Sequence, residues 1–123
     1  MYTLDTNVLI YFLKDDPSVV KFLRDNILEG SRFFISSITE IELLSYPNIS
    51  RSETIKIEDI LQTIPSVPID YRIARLASFF RRKYKISLPD SVIASTAYLT
   101  NSTLLTRNVK DFLKIQEILI RQI

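Results

Sequence analysis

The sequence contains no cysteine and no histidine. Without cysteine the chain has no disulfide framework and no thiolate zinc site. Without histidine it has neither a Ser-His-Asp triad nor any imidazole acid–base chemistry. Its single glycine, Gly30, is too little for a Walker loop or a G-x-G-x-x-G turn. Any catalysis is therefore left to carboxylate, hydroxyl, amide and cationic side chains, with a metal ion if one is recruited.

Length and composition indicate one ordinary globular domain, which we place at residues 1–123. The chain has 123 residues, of which 46% are hydrophobic and 24% charged, so it is neither a disordered tail nor a two-core protein. A formal net charge of +2 is too small to indicate nucleic-acid binding by itself. Asp5 interrupts the order of a signal peptide, and no apolar run is long enough for a membrane span. We expect a cytoplasmic protein with no membrane partner.

Short apolar strands alternate with helical segments along the whole chain. The predicted strands are Tyr2–Leu4, Phe33–Ile35, Val67–Ile69, Ser102–Thr106 and Glu117–Ile120. The predicted helical segments are Thr6–Leu13 with Thr6 as its cap, Ser18–Leu28, Ile38–Leu44, Arg51–Ile64, Tyr71–Tyr84, one opening at Leu88, and Asn108–Leu113. This alternation predicts a three-layer α/β/α sandwich with a central parallel sheet of four to five strands.

Acidic residues stand near the carboxyl ends of the predicted strands, where open parallel sheets bind their ligands. Asp5 follows the first strand, Glu40 and Glu42 lie in the helix after the second, and Asp90 and Asp111 flank the fourth. Singly, each acid is explained equally well as a helix cap or a surface charge. Glu40 and Glu42 project roughly 200° apart on a helix, so only one of them can face a given cleft. Hydrophobic periodicity does not choose between them.

Clustered carboxylates repel one another, which makes such a site difficult to keep without a cation. Mg²⁺ and Mn²⁺ prefer oxygen ligands and retain several waters, so a few carboxylates are enough to hold them. A bound divalent ion activates water and stabilises charge on a phosphoryl group. Carboxylates with a divalent metal, and without histidine or cysteine, therefore favour phosphodiester hydrolysis.

Four blocks of the sequence resemble the PIN-domain family, and most closely its VapC-type toxins. They are LDTNVLIYFL at 4–13, SSITEIELL at 36–44, LPDSVIASTA at 88–97 and LLTRNVKDF at 104–112. The resemblance covers nearly the whole chain and implies a parallel α/β/α fold. It also implies an endoribonuclease that uses Mg²⁺ or Mn²⁺ on RNA, forms a homodimer and binds a small antitoxin protein whose tail covers the acidic cleft.

The resemblance also implies roles for individual residues. The catalytic and metal-binding acids map onto Asp5, Glu42, Asp90 and Asp111. The second of them follows a threonine by three positions in such proteins, which favours Glu42 after Thr39 over Glu40. Polar positions that support the metal map onto Thr6, Asn7, Thr39, Thr106 and Asn108. One departure is Ser45-Tyr46-Pro47, where relatives often carry a glycine; it alters a turn and no ligand position.

Two groups of cations and one apolar surface are the candidate contacts with partners. The residues expected to bind the RNA backbone are Arg81, Arg82, Lys83, Lys85, Arg107 and Lys110. Without an RNA substrate, the same cations are ordinary solvated helix ends. Ile10, Phe12 and Leu13 on the first helix are candidates for the antitoxin contact, although each is explained equally well as a core residue.

Three alternatives remain open at this stage. A receiver-like signalling domain has a similar length and alternation; it would use Asp70 as phosphoacceptor with Thr106 and Lys114. That interpretation lacks the pair of acids required after the first strand and leaves Asp90 unexplained. The others are a non-catalytic PIN-like binding module and a PIN nuclease of RNA processing without a toxin role.

Overall fold

The computed structural model describes residues 1–123 as alternating strands and helices. The strands are β1 (Tyr2–Leu4), β2 (Phe33–Ser36), β3 (Ser66–Val67), β4 (Thr103–Thr106) and β5 (Leu119–Gln122). The helices are α1 (Thr6–Leu13), α2 (Pro17–Leu28), α3 (Ser37–Leu44), α4 (Arg51–Thr63), α5 (Tyr71–Tyr84), α6 (Leu88–Leu99) and α7 (Val109–Phe112). None of these helices is long and apolar enough to cross a membrane.

The five strands form one parallel sheet in the order β3-β2-β1-β4-β5. Strand β1 lies at the centre, with Tyr2 opposite both Phe33 of β2 and Thr103 of β4. All strands are parallel, so their carboxyl ends meet at one edge of the sheet. The segments that leave β1, β2 and β4 are therefore neighbours in space.

Two hydrophobic cores lie on opposite faces of the sheet. Leu104 and Leu105 are consecutive residues of β4, and successive side chains of a strand point to opposite faces. Leu104 packs with the core that contains Phe80 of α5 and Phe112 of α7. Leu105 packs with the core that contains Leu9 of α1 and residues of α2 and α4. The predicted three-layer sandwich with a parallel sheet is confirmed.

Local signals begin and end several helices where the sequence predicted. Ser50 and Glu53 form a complete capping box at the start of α4, each side chain accepting a hydrogen bond from the other residue's backbone. Gly30 follows α2 with a φ of +84°, a conformation that glycine adopts without a steric penalty. Ser31 N then donates to the Asn26 carbonyl, which closes the helix end.

Several predicted boundaries were wrong by one or two residues. Strand β3 ends at Val67, because Pro68 has no N–H for the ladder. Ser102 belongs to the turn after α6, since its N–H donates to the Ala97 carbonyl. Strand β5 begins at Leu119, opposite Thr103, rather than at the predicted position 117. The shift at β5 is set by its register with β4.

Predicted helix starts differ as well: α3 and α7 begin at Ser37 and Val109 rather than at Ile38 and Asn108. Pro17 is the first residue of α2, one position earlier than predicted. At α1 the cap position is Asp5 rather than Thr6, and the Asp5 side chain makes no capping hydrogen bond. Because neither Asp5 nor Thr6 caps α1 with its side chain, both side chains can contact other elements.

The sheet order contradicts a receiver-like domain. The receiver arrangement has the order 2-1-3-4-5, whereas here β1 is central and β3 is an edge strand. Asp70 caps α5 by accepting from the backbone of Arg72 and Ile73, and it also pairs with the Arg72 side chain. Thr106 ends β4, which lies three strand positions from β3, so Asp70 and Thr106 share no pocket.

Candidate active site

The carboxyl edge of the sheet brings the four predicted acids into one electrostatic cluster. Asp5 directly follows β1, Glu42 lies in α3 after β2, Asp90 lies in the first turn of α6, and Asp111 lies in α7 after β4. The charges of Glu42 and Asp90 raise the pKa of Asp5, and those of Asp111 and Glu42 raise the pKa of Asp90. Residues from four separate parts of the chain thus act on one another.

Asp5 is the most buried of these acids, at 4% exposed. Its Oδ2 accepts a hydrogen bond from Thr106 Oγ1 at 2.8 Å, which joins the ends of β1 and β4. Burial is the main reason that the pKa of Asp5 rises to about 6; the bond from Thr106 opposes this rise, and the neighbouring carboxylates add to it. An uncompensated negative charge is therefore unfavourable at this position near neutral pH.

The structure distinguishes Glu42 from Glu40. Glu42 Oε1 accepts a hydrogen bond of 2.7 Å from Thr6 Oγ1, and Thr6 Oγ1 lies 3.0 Å from Thr39 Oγ1. Both threonines are buried, and Thr6 is the first residue of α1, directly after Asp5. Glu40 makes none of these contacts. The supporting positions Thr6 and Thr39 thus fix the carboxylate of Glu42 beside the start of α1.

Asp90 is held by the local structure at the start of α6. Ser87 caps this helix by accepting a hydrogen bond from the Asp90 backbone N–H at 3.3 Å, and Pro89 occupies the first turn. The Asp90 carboxyl is partly buried; burial raises its pKa, a hydrogen bond with Ser87 opposes this rise, and Asp111 and Glu42 raise it further. The Ser87 cap and Pro89 therefore fix the backbone of Asp90 in the first turn of α6.

Asp111 is exposed and is oriented by Asn108. Asn108 Nδ2 donates to Asp111 Oδ2 at 2.6 Å, while the Asn108 backbone N–H donates to Thr106 Oγ1 at 2.8 Å. Thr106 therefore serves both Asp5 and the turn that carries Asp111. Asn7 is exposed in the first turn of α1 and makes no side-chain hydrogen bond.

The donor set fits a hard divalent cation. All four candidate ligands are carboxylates, the donors that Mg²⁺ and Mn²⁺ prefer; the pKa values of Asp5 and Asp90 are raised mainly by burial and further by the neighbouring acids. No three of the carboxylates stand close enough to hold one ion together directly.

The predicted RNA-binding cations separate into those without an acidic partner and those with one. Arg81, Arg82 and Lys85 line an open cavity of about 540 Å³ with Ser78 and Ile86, at the end of α5. Lys110 is exposed beside Asp111.

Lys83 and Arg107 have other partners. Lys83 pairs with Glu117 at 3.7 Å and lies over the rings of Phe79 and Tyr84. Arg107 forms a double ion pair with Asp16. This pairing holds the pKa of Asp16 below its ordinary value and raises that of Arg107, so both side chains are charged at neutral pH.

The sequence did not indicate that Asp16 contacts the segment that carries Arg107. Its position before Pro17 marks a helix start, and it does cap α2. Its partner Arg107 lies 91 positions away, and no local pattern connects the two.

The fold and the site define the class of protein. The sequence model of the PIN domain matches residues 2–118, so the chain belongs to the PIN domain family. Among individual relatives, it is 28% identical to Ribonuclease VapC1 of Haemophilus influenzae strain R2866 over 96% of this chain and 94% of that protein. It is also similar to Ribonuclease VapC19 of Mycobacterium tuberculosis strain H37Rv, at 27% identity over 91% and 92% of the two chains.

A solved structure agrees with this assignment. A toxin–antitoxin complex from Klebsiella pneumoniae contains a chain with 29% identity and a TM-score of 0.78, over 97% of this chain and 96% of that one. The similarity therefore extends over the full fold and is not restricted to the acidic motifs.

Proposed function

We propose that this protein is a divalent-metal-dependent endoribonuclease and the toxin of a toxin–antitoxin pair. The observation that carries the proposal is the convergence of Asp5, Glu42, Asp90 and Asp111 at one edge of the sheet. The names of its relatives, which are ribonucleases, support RNA as the substrate. The metal is Mg²⁺ or Mn²⁺, because the candidate ligands are all carboxylate oxygens.

The four acids would hold the cation, directly or through water. When bound there, a divalent ion supplies a water of lowered pKa and neutralises charge on the phosphate under attack. Asp5 is fixed by Thr106 and Glu42 by Thr6, so two of the carboxylates are oriented before any ligand arrives. Asp111 is the most exposed acid and, with Glu42, is a candidate for taking the proton from the attacking water.

Arg81, Arg82 and Lys85 bind the RNA backbone beside this site. Only residues 86–89 separate Lys85 from Asp90 along the chain, and Ile86, in this connection, also lines the cavity. Lys110, exposed next to Asp111 in the chain, is a further candidate for a phosphate contact. Phosphate binding of this kind is independent of sequence and weakens with salt. Lys83 and Arg107 are left out of the RNA path because acidic partners already engage them.

Cleavage of a structured RNA tests the enzymatic proposal. Wild-type protein should cut the RNA with Mn²⁺ and stop on addition of EDTA, and Asp5→Asn should cut poorly under either condition. Equal cleavage by wild type and Asp5→Asn would remove the site assignment. A folded wild type that binds RNA without metal-dependent cleavage would indicate a PIN-like binding module instead.

The toxin role implies an antitoxin and a second copy of this chain. Complexes with antitoxins are known for similar proteins. Here Ile10 and Leu13 of α1 line an apolar cavity with Leu43 and Ile57, which supports a protein contact at this face.

Expression in bacteria tests the toxin role. Growth arrest that is relieved by co-expression of an adjacent small open reading frame supports it. Cleavage without growth arrest would indicate an RNA-processing nuclease. Light scattering of the purified protein tests the proposed homodimer, because a monomer at micromolar concentration contradicts it.

A further inference from the structure

Arg107 lies in the middle of the site's last segment, between Thr106 and Asn108, yet its partners lie elsewhere. Its Nη1 donates to Asp16 Oδ2 at 2.8 Å and its Nη2 to Asp16 Oδ1 at 3.0 Å. Its Nε donates to the backbone carbonyl of Ile123 at 3.1 Å. All three guanidinium nitrogens are therefore engaged.

The ring of Tyr11 completes this set of contacts. The guanidinium carbon lies 4.4 Å from the Tyr11 ring centroid, within the range of a cation–π interaction. Tyr11 belongs to α1, the helix that begins beside Asp5. The Arg107 side chain thus connects the turn after β4 to α1, to the start of α2 and to the segment after β5.

Asp16 is itself held rigidly. Its Oδ1 accepts from the backbone N–H groups of Ser18 and Val19, which fixes the carboxylate at the first turn of α2. The side chains of Arg107 and Asp16 are only 30% and 24% exposed. A two-point pair between a planar guanidinium and a carboxylate is geometrically specific, and partial burial reduces its screening by water. This pair therefore differs from the ordinary exposed pairs of the surface, which contribute little.

The turn that Arg107 anchors carries contacts to two of the acids. Thr106 donates to Asp5, and Asn108 donates to Asp111. Helix α7, which contains Asp111, is only four residues long, and so short a helix does not hold its own conformation in water. Its position depends on what secures it at either end, which is Phe112 in the core on one side and Arg107 on the other.

We propose that Arg107 is a positioning residue whose double ion pair with Asp16 sets the spacing of Asp5 and Asp111 for a divalent cation. The proposal rests on the proposed function for the reaction that it serves. Arg107 does not contact the RNA. Loss of either partner loosens the turn, weakens metal binding and slows turnover, while binding of the RNA backbone is unchanged.

Three variants and one control test this proposal. Arg107→Gln removes the guanidinium, and Asp16→Asn removes the charge while keeping an oxygen to cap α2. The third variant combines both substitutions. Arg24→Gln is the control, since Arg24 is an exposed cation of α2 whose one acidic contact, with Asp25, is long at 3.8 Å.

Three readouts separate positioning from RNA binding. They are hydrogen–deuterium exchange of the segment 104–113 in metal-free protein, Mn²⁺ affinity by electron paramagnetic resonance, and kcat and KM for RNA cleavage. Both single variants should exchange faster in this segment, bind Mn²⁺ about tenfold more weakly and lose about tenfold in kcat, with KM within twofold. The double variant should resemble either single variant, because the two residues act as one unit. Arg24→Gln should match wild type.

Other outcomes overturn the proposal. A raised KM with unchanged kcat in Arg107→Gln, together with a silent Asp16→Asn, makes Arg107 an RNA contact. Unchanged exchange, or a wild type that binds no Mn²⁺, also overturns it. A wild type that binds Mn²⁺ but cleaves no RNA defeats the proposed function alone, because exchange and Mn²⁺ affinity still decide whether the Arg107–Asp16 pair positions the site.

Discussion

The hydroxyl of Thr106 donates to the buried carboxylate of Asp5, across 101 positions of sequence and between the ends of two neighbouring strands. The same hydroxyl accepts from the Asn108 N–H, so one side chain organises two parts of the acidic site. The end of β4 is thus connected both to Asp5 and to the turn that carries Asp111.

Replacement of Thr106 by valine should destabilise the protein. Valine has nearly the same shape but leaves the Asp5 carboxylate and the Asn108 N–H without a partner. A hydrogen bond to a charged group contributes about 2 kcal/mol, and we expect a loss of that order in the free energy of unfolding, measured with urea. Thr103→Val is the matched control, because Thr103 lies in the same strand and its side chain makes no hydrogen bond. Equal stability of the two variants would contradict a role for the Thr106 hydroxyl.

The stability of the metal-free protein should increase when the pH is lowered from 7 to 5. The pKa of Asp5 is about 6 in the fold and about 3.9 in an unfolded chain, so the folded state binds more protons in this window. The free energy of unfolding should be greater at pH 5 by on the order of 1 kcal/mol, and Asp90 acts in the same direction. Thermal unfolding in EDTA measures it.

The control for this pH effect is Asp5→Asn, which should be more stable than wild type at pH 7 and vary less between pH 5 and 7. Asp16, Asp25 and Asp70 do not interfere. Their pKa values are lowered by folding, so their stabilisation is nearly complete above about pH 5 and is lost only at lower pH. A wild-type protein that weakens steadily from pH 7 to 5 would exclude a buried acid with a raised pKa.

The two glutamates of α3 should respond differently to the same substitution. Glu42→Gln removes a carboxylate charge from the acidic cluster and should lower kcat by about 100-fold or more. Glu40→Gln changes the same chemical group two positions earlier and should leave kcat within about twofold, since Glu40 makes no contact with the cluster. Metal-dependent cleavage of one RNA by both variants measures this difference. The reverse ranking would move the second acid to Glu40.

Removal of free cations at the end of α5 should reduce the salt dependence of RNA binding. Arg82→Gln and Lys85→Gln each remove one phosphate contact, which should lower the slope of log affinity against log salt by about 0.7. Lys83→Gln is the control, because Lys83 lies at the same end of α5 but is paired with Glu117, in the segment before β5. Fluorescence anisotropy of a labelled RNA in EDTA measures binding without cleavage. Slopes equal to that of wild type for Arg82→Gln and Lys85→Gln would place the RNA elsewhere.

The fold and the acidic positions were accessible from sequence because both depend on regular patterns. Apolar strands such as Phe33–Ile35 alternate with capped helices, and parallel strands bring the segments at their carboxyl ends to one edge of the sheet. Asp5 and Asp111 could therefore be assigned to the same edge without knowledge of any contact. Helical spacing alone left Glu40 and Glu42 equivalent; the family resemblance favoured Glu42, and the bond from Thr6 is the contact that distinguishes it from Glu40.

Contacts between distant residues were not accessible. Arg107 stands beside Thr106 in a cationic stretch, which suggested an RNA contact, and nothing near Asp16 indicates an arginine 91 positions later. Lys83 belongs to a cluster of four cations at 81–85, yet the helical rotation between neighbours directs it to Glu117 while Arg82 lines the open cavity. Which side chains pair in this way depends on how whole helices and strands pack together, and a local sequence pattern does not contain that information.

The central position of β1 in the sheet affects the order in which strand pairs form while the protein is being synthesised. Tyr2 pairs with Thr103, so the first strand made must wait for the fourth, while its other neighbour, β2, is already available. Contacts that span nearly the entire chain form slowly, because a long loop must close before they are gained. A translating ribosome therefore carries an incomplete pocket until the last fifth of the chain has emerged, and prematurely terminated products lack the Asp111 turn altogether.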